Sequence, residues 1–170
     1  MEKIIIGKNA NIKIVTNEEL RKILLFQKEV IDFMENKEWF KPLTEEEFLE
    51  PINHNDNVYI IMYNDIMIGL LVLLYNLPGV LKEYKLSSLN YMLIDSIMVK
   101  KEYRGHKLQK QMLNFAEKRA LDLKLDGLVA TVHPDNKYSI NNFINEDYEI
   151  SHTLNIHGGI RNIMVKTCKK

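Results

Sequence analysis

The feature that most restricts the fold of this chain is an apolar run that ends in a cluster of cations. Leu93, Ile94, Ile97, Met98 and Val99, interrupted only by Asp95 and Ser96, have the length of a buried strand. The chain then turns through Arg104-Gly105 into a helix predicted to reach about Lys124, with Leu108, Met112, Phe115, Ala116 and Leu123 along one face. Lys100, Lys101, Arg104, His106, Lys107 and Lys110 crowd that helix start, and only Glu102 offsets them. Free N–H groups at a helix N-terminus already carry partial positive charge, so such a cluster repels itself until an anion occupies it. A phosphate or pyrophosphate suits the position. A solvated basic turn accounts for the charges equally well.

The flanking sequence alternates strands and helices. Ile4 to Ile6 and Ile12 to Val15 are short β-branched runs. Thr16-Asn17-Glu18-Glu19 is a capping box, and Leu20, Ile23, Leu24, Gln27, Ile31 and Met34 follow at helical spacing to about Asn36. Trp39-Phe40-Lys41-Pro42 interrupts, and Thr44-Glu45-Glu46-Glu47 caps a shorter helix ending near Pro51. Two aromatics between helices read first as a packing plug and second as the wall of a pocket. Val58 to Tyr63 and Ile66 to Tyr75 form a hairpin through Asn64-Asp65, with Gly69 marking a bulge. Asn76 to Asn90 is a polar excursion. Gly127 closes the long helix, and Leu128 to Val132 form a strand stopped by His133-Pro134. Asp135-Asn136 caps a helix bearing Ile140, Phe143 and Ile144. Tyr148 to Ile156 and Ile160 to Thr167 pair through His157-Gly158-Gly159.

Val99 followed by Tyr103-Arg104-Gly105-x-x-Leu108-Gln109 resembles the acetyl-CoA-binding motif of the GCN5-related N-acetyltransferases, the GNAT family. His133-Pro134-Asp135-Asn136-x-x-Ser139 and the aromatic Tyr148 continue the resemblance in order and spacing. It departs where Lys107 and Gln109 take the second and third glycine-type positions, where Asp147 precedes Tyr148, and where Phe143 stands in place of a tyrosine. Glycine lets a backbone approach pyrophosphate closely, so Lys107 must adopt a helical φ or the loop changes shape. Its ammonium can compensate by pairing with phosphate.

The resemblance implies an α/β (α+β) fold: a mixed, mostly antiparallel central sheet of about six to seven strands, flanked by about four helices, with residues 1–170 as one domain. A parallel strand pair would splay at the cofactor site. It implies acetyl-CoA as acyl donor, held by the backbone of Ile97, Met98 and Val99, by Arg104, Gly105, His106, Lys107, Leu108 and Gln109, and by Asn136, Ser139, Asn142 and Phe143. Capping is the rival role for Asn136. The activity implied is transfer of the acetyl group to a primary amine of a small molecule or peptide. The alternative is a non-catalytic module that senses CoA or binds a protein. Asp95, four residues before Val99, is the candidate base, because a carboxylate in an apolar strand is costly to bury without a purpose, although a bond to Ser96 would make it structural. With Phe143 lacking a phenol, Tyr138 and His133 are the candidate acids.

Composition narrows the partners. Lys+Arg and Asp+Glu number 23 each among 170 residues, which leaves no global field to hold nucleic acid or an anionic membrane. Cys168 is the only cysteine, no apolar stretch has membrane-spanning length, and the N-terminal run is too short for a signal peptide, so a cytoplasmic location is expected. His152 and His157, five apart on a hairpin, form no recognised metal-ligand spacing with a carboxylate or thiol, and no metal is expected. The acceptor is unspecified, and the oligomeric state is open between a monomer and a homodimer.

Overall fold

The computed structural model describes residues 10–54, 57–75, 78–86 and 90–168. The expected strand over Ile4 to Ile6 lies outside them. In chain order the elements are β1 (Ala10–Ile14), α1 (Leu20–Asp32), α2 (Glu45–His54), β2 (Val58–Tyr63), β3 (Ile66–Leu74), α3 (Pro78–Glu83), β4 (Tyr91–Val99), α4 (Leu108–Asp122), β5 (Gly127–Val132), α5 (Lys137–Ile144), β6 (Glu149–Ile156) and β7 (Gly159–Thr167). The strands form one seven-stranded sheet in the order β1-β2-β3-β4-β5-β7-β6. Only β4 and β5 among neighbouring strands run parallel, which is the mixed architecture expected.

Both faces of the sheet are covered, and this explains why β3 reads as a continuous apolar run rather than an alternation. Ile68, Leu71 and Leu73 pack under α4 with Met112, Leu113 and Ala116. Leu70 and Val72 face the other way, against Ile23, Phe26 and Val30 of α1 and Phe48 and Ile52 of α2. The Thr16–Glu19 capping box forms, with the Glu19 carboxylate accepting from the Thr16 N–H at 2.7 Å. The Asn64-Asp65 turn has positive φ at both residues, as a two-residue hairpin requires.

Two irregularities in β3 and β4 shape the molecule. Ile61 pairs with Gly69 and Met62 with Met67, so Ile68 is the extra residue of a bulge beside Gly69. A Cβ on Gly69 would stand 3.0 Å from the Ile61 side chain. In β4, Ser96 pairs with Val72 and Ile94 with Leu73, which makes Asp95 the extra residue of a second bulge. Parallel pairing with β5 covers only Tyr91–Ile94 against Gly127–Ala130 and stops at that bulge. Beyond it the two strands separate.

Several boundaries differ from the sequence reading, each for a local reason. α1 ends at Asp32 rather than near Asn36, and Asn36 instead caps the next turn by accepting from the Glu38 N–H at 2.9 Å. α2 runs through Pro51 to His54, because burial of Phe48, Pro51 and Ile52 outweighs one lost backbone bond. The excursion after β3 contains α3 and a buried Tyr84. Gly127 does not end α4. Lys124, at φ 57°, supplies the left-handed residue, with the Lys124 and Leu125 N–H groups closing on Leu121 and Ala120. Gly127 opens β5 because a Cβ there would come within 2.3 Å of the Tyr91 ring and the Lys166 carbonyl.

Candidate active site

The cation-rich turn has the backbone geometry of a nest. Lys101–Tyr103 forms one turn of 3-10 helix, α4 starts only at Leu108, and Gly105 and Lys107 both have positive φ, at 82° and 61°. The helix therefore begins four residues later than Arg104. Among the described residues no acceptor is paired with the backbone N–H groups from Gly105 through Lys110, the first helical bond being Gln111 N–H to the Lys107 carbonyl. Alternating handedness in such a loop turns successive N–H groups toward one point, where an oxyanion fits. Lys107 thus holds a left-handed backbone, the conformation that favours glycine. Asp147 does the same at φ 65°, where the N–H groups of Asp147 and Tyr148 close α5 on Ile144 and Phe143.

The cations are less concentrated than the sequence implies. Lys100 pairs with Glu29 at 3.2 Å, Lys110 with Glu146 at 2.7 Å, and Lys101 lies over the Phe33 ring. Arg104, His106 and Lys107 remain exposed around the nest. The Arg104 Nε donates to the Val99 carbonyl at 3.4 Å, tying the loop to the end of β4.

Between the nest and the bulge lies the gap left by β5. The Lys100 N–H points into β3, bonding the Ile68 carbonyl, so alternation turns the polar backbone of Ile97 and Val99 toward the gap. Met98 is turned the other way, its backbone toward β3 and its side chain buried against α1 and α2. On the far wall Asn136 accepts from the Ser139 N–H at 3.2 Å and so serves as the α5 cap. Gln109 spans α4 and α5: its Nε2 donates to the Ser139 hydroxyl at 3.4 Å, and its Oε1 accepts from Asn142 at 2.8 Å. Phe143 is a core residue, edge-on to Tyr148 at 5.0 Å.

On the opposite face of the sheet a cleft of about 560 Å³ opens beside Asp95. Its walls are the Trp39–Thr44 connection, the acidic edge of α2, and Leu74, Thr131, His157 and Arg161. Trp39 and Phe40, read first as a plug, form part of that wall, because the connection between α1 and α2 folds back over the sheet. The bulge puts Asp95 and Ser96 on this same face. No hydrogen-bond donor among the described residues reaches Asp95, and the Ser96 hydroxyl is itself buried without a partner. Burial, reinforced by Glu47 and partly offset by Lys41, pushes the Asp95 carboxyl up to about 6.

The proposed acids do not meet Asp95. Tyr138 is 76% exposed on the outer side of α5. His133, at the end of β5, accepts from the Asp135 N–H at 3.1 Å and is not part of the cleft wall. Instead, Tyr84 and His157 meet at its rim, the Tyr84 hydroxyl 2.9 Å from His157 Nε2. Burial and the charge of Asp95 raise the Tyr84 phenol, and burial lowers His157 below the usual imidazole value. Neither was legible as a site residue. Tyr84 lies in the polar excursion and His157 in a hairpin turn, and 73 positions separate them.

A family model described as the acetyltransferase (GNAT) family matches residues 18–143. The chain belongs to this family. Its members are acyltransferase enzymes, and the nest, the splayed strands and the Asp95 bulge all lie within the matched span. No curated protein matches the sequence significantly. Among solved structures, an N-acetyltransferase from Staphylococcus aureus superposes with a TM-score of 0.74 at 21% identity, covering 95% of this chain and 100% of that one. Naa50 of Arabidopsis thaliana, in complex with the bisubstrate analogue CoA-Ac-MVNAL, gives 0.71 at 15% identity over 94% and 99%. A chain of the NatC complex bound to Gag peptide and CoA gives 0.75 at 14% identity over 95% and 100%. At these identities the likeness establishes the GNAT fold.

Among the described residues no group of three or more His, Cys, Asp or Glu is arranged to hold a metal, and no helix is long and apolar enough to cross a membrane. Cys168 is buried in the core beneath α4, with its thiol raised by burial.

Proposed function

We propose that this GNAT protein transfers the acetyl group of acetyl-CoA to a primary amine by direct attack. The observation that carries the reading is the run of N–H groups from Gly105 through Lys110 without a partner among the described residues, set at the mouth of a gap whose other end is the Asp95 bulge. The fit to the donor is good. The nest and Arg104, His106 and Lys107 suit a pyrophosphate, and the outward-facing amides of Ile97 and Val99 suit an extended amide chain. Acetyl-CoA supplies an acyl group activated as a thioester.

The chain's own residues then handle the acceptor. Glu46, Glu47, Glu50 and Asp95 line the cleft with negative charge that draws in an ammonium. Asp95, held near 6, is ionised at neutral pH and takes the amine proton, directly or through a water. The nitrogen forms the new bond to the acyl carbon as the carbon–sulfur bond breaks. A thiol with an ordinary pKa of about 8.5 leaves readily near neutral pH, so the step needs no acid at position 143. Direct transfer is favoured because the only cysteine is buried in the core and unable to carry the acyl group. The peptide ligands of the Arabidopsis and NatC neighbours make a peptide N-terminus one natural acceptor, beside small amines.

The test is calorimetric titration with acetyl-CoA, followed by thiol release over an amine panel. Binding on the order of 8 kcal/mol, lost by tenfold or more in Arg104→Ala, and amine-dependent thiol release are the expected results. Absence of binding would refute the reading; binding without release to any amine would leave a CoA sensor.

A further inference from the structure

Arg161 is unexplained by the chemistry above. It lies on β7 in the wall of the acceptor cleft and is only 6% exposed, yet no carboxylate among the described residues pairs with it. Its two Nη groups donate to backbone carbonyls, of Ile160 at 2.8 Å and of Glu38 at 3.1 Å. A guanidinium has five N–H donors and a full charge, so two neutral acceptors leave it incomplete. Burying such a cation is costly unless an anion completes it. Room is also kept for it: a Cβ on Gly159, two residues back on the same face, would stand 3.1 Å from Arg161 Nη1.

The cleft is therefore bipolar. Glu46 and Glu50 on α2 are exposed on one side with Asp95 at the floor, and Arg161 lies on the other side with His157, lowered by burial, beside it. Asp95 and Arg161 are on strands separated by β5, roughly 10 Å apart across the sheet. That is the spacing of the strands; the Asp95 and Arg161 side chains both line the cleft and shorten it, so a molecule carrying an amine and a carboxylate can meet both charges.

Resting on the acetyltransferase reading, we propose that Arg161 binds a carboxylate carried by the acceptor, so that the substrates are amines of the amino-acid kind. The carboxylate is either the α-carboxylate of a free amino acid or an acidic side chain next to a peptide N-terminus. Trp39, Phe40 and Leu43 give such an acceptor's apolar side chain a surface to cover.

Thiol release is measured with matched pairs of acceptors: L-methionine and L-phenylalanine beside their amides, and Met-Asp-Ala-Leu beside Met-Asn-Ala-Leu, both as C-terminal amides. The acidic member of at least one pair should be preferred by about tenfold or more in kcat/KM, and which pair responds separates the two sources. Arg161→Gln should bring the two members of that pair within about twofold through a rise in KM for the acid, with KM for acetyl-CoA unchanged; Arg161→Lys should restore part of the preference. If Arg161 only held the Glu38 carbonyl, both members would fall together in the variant, which would overturn the proposal. Equal turnover of acid and amide by the wild type, or turnover of amines such as spermidine alone, would overturn it while leaving the acetyltransferase intact. If no amine is acetylated, calorimetry of the same pairs decides: acid binding lost in Arg161→Gln supports the subsite, and no difference between acid and amide refutes it.

Discussion

Replacing Asp95 by Asn should make the protein more stable and less active, and the pH dependence links the two effects. The bulge in β4 holds the carboxyl away from water with no donor among the described residues, which raises it from an ordinary 3.8 to about 6. At about 1.4 kcal/mol per pH unit, that gap corresponds to roughly 3 kcal/mol between the charged and neutral forms. The native state binds the extra proton in this window, so the stability present below about pH 4 is lost as pH rises through 6. Asn has nearly the same shape and no charge to desolvate. Asp95→Asn should therefore match the wild type near pH 4 and exceed it by up to about 3 kcal/mol at pH 8, read by urea unfolding at both pH values. Turnover should fall by about 100-fold or more, the rise in kcat/KM centred near pH 6 should vanish, and acetyl-CoA affinity should hold. Equal stability of the two proteins at pH 8 would mean that the carboxylate is hydrated or paired. Unchanged turnover would remove Asp95 from the mechanism.

Other substitutions test the surrounding frame. Lys107→Gly relieves a left-handed non-glycine residue and should stabilise by about 1 kcal/mol, seen as a rise of roughly 2–4 °C in Tm, while acetyl-CoA affinity should fall by several-fold because the ammonium is lost; a lower Tm would contradict the strain. Gln109→Ala breaks the bridge between α4 and α5; a double-mutant cycle with Asn142→Ala should give a coupling of about 0.5–1 kcal/mol, and a coupling near zero would mean that the bond is not formed in solution. Gly127→Ala has no space against the Tyr91 ring and the Lys166 carbonyl and should cost several kcal/mol; soluble expression with an unchanged urea midpoint would contradict the close approach.

Much of this was legible in the residues themselves. Capping boxes at Thr16 and Thr44, the Asn64-Asp65 turn, the bulge at Gly69 and the handover from β4 to the cation-rich loop are local features, encoded within a few positions by turn chemistry and periodicity. The GNAT family followed from that handover and the His133–Ser139 segment. Helix ends were less legible. Pro51 and Lys124 are held in unfavoured roles by tertiary burial and closure bonds that no local propensity reports.

Sequence alone thus determined the order of the strands and of every helix but α3, the cation-rich loop and the position of one carboxylate in an apolar strand, because each depends on neighbours in the chain. Tertiary structure decided what that carboxylate faces. A single extra residue in β4 ends the pairing with β5 and turns Asp95 toward a cleft. The chain folds Trp39 and Phe40 over the same cleft and brings Tyr84, His157 and Arg161 to its walls from far along the sequence. Tyr138, close to the expected acid position on α5, is left facing solvent. Strand order and register set these meetings, and no spacing along the chain encodes a contact made across a sheet.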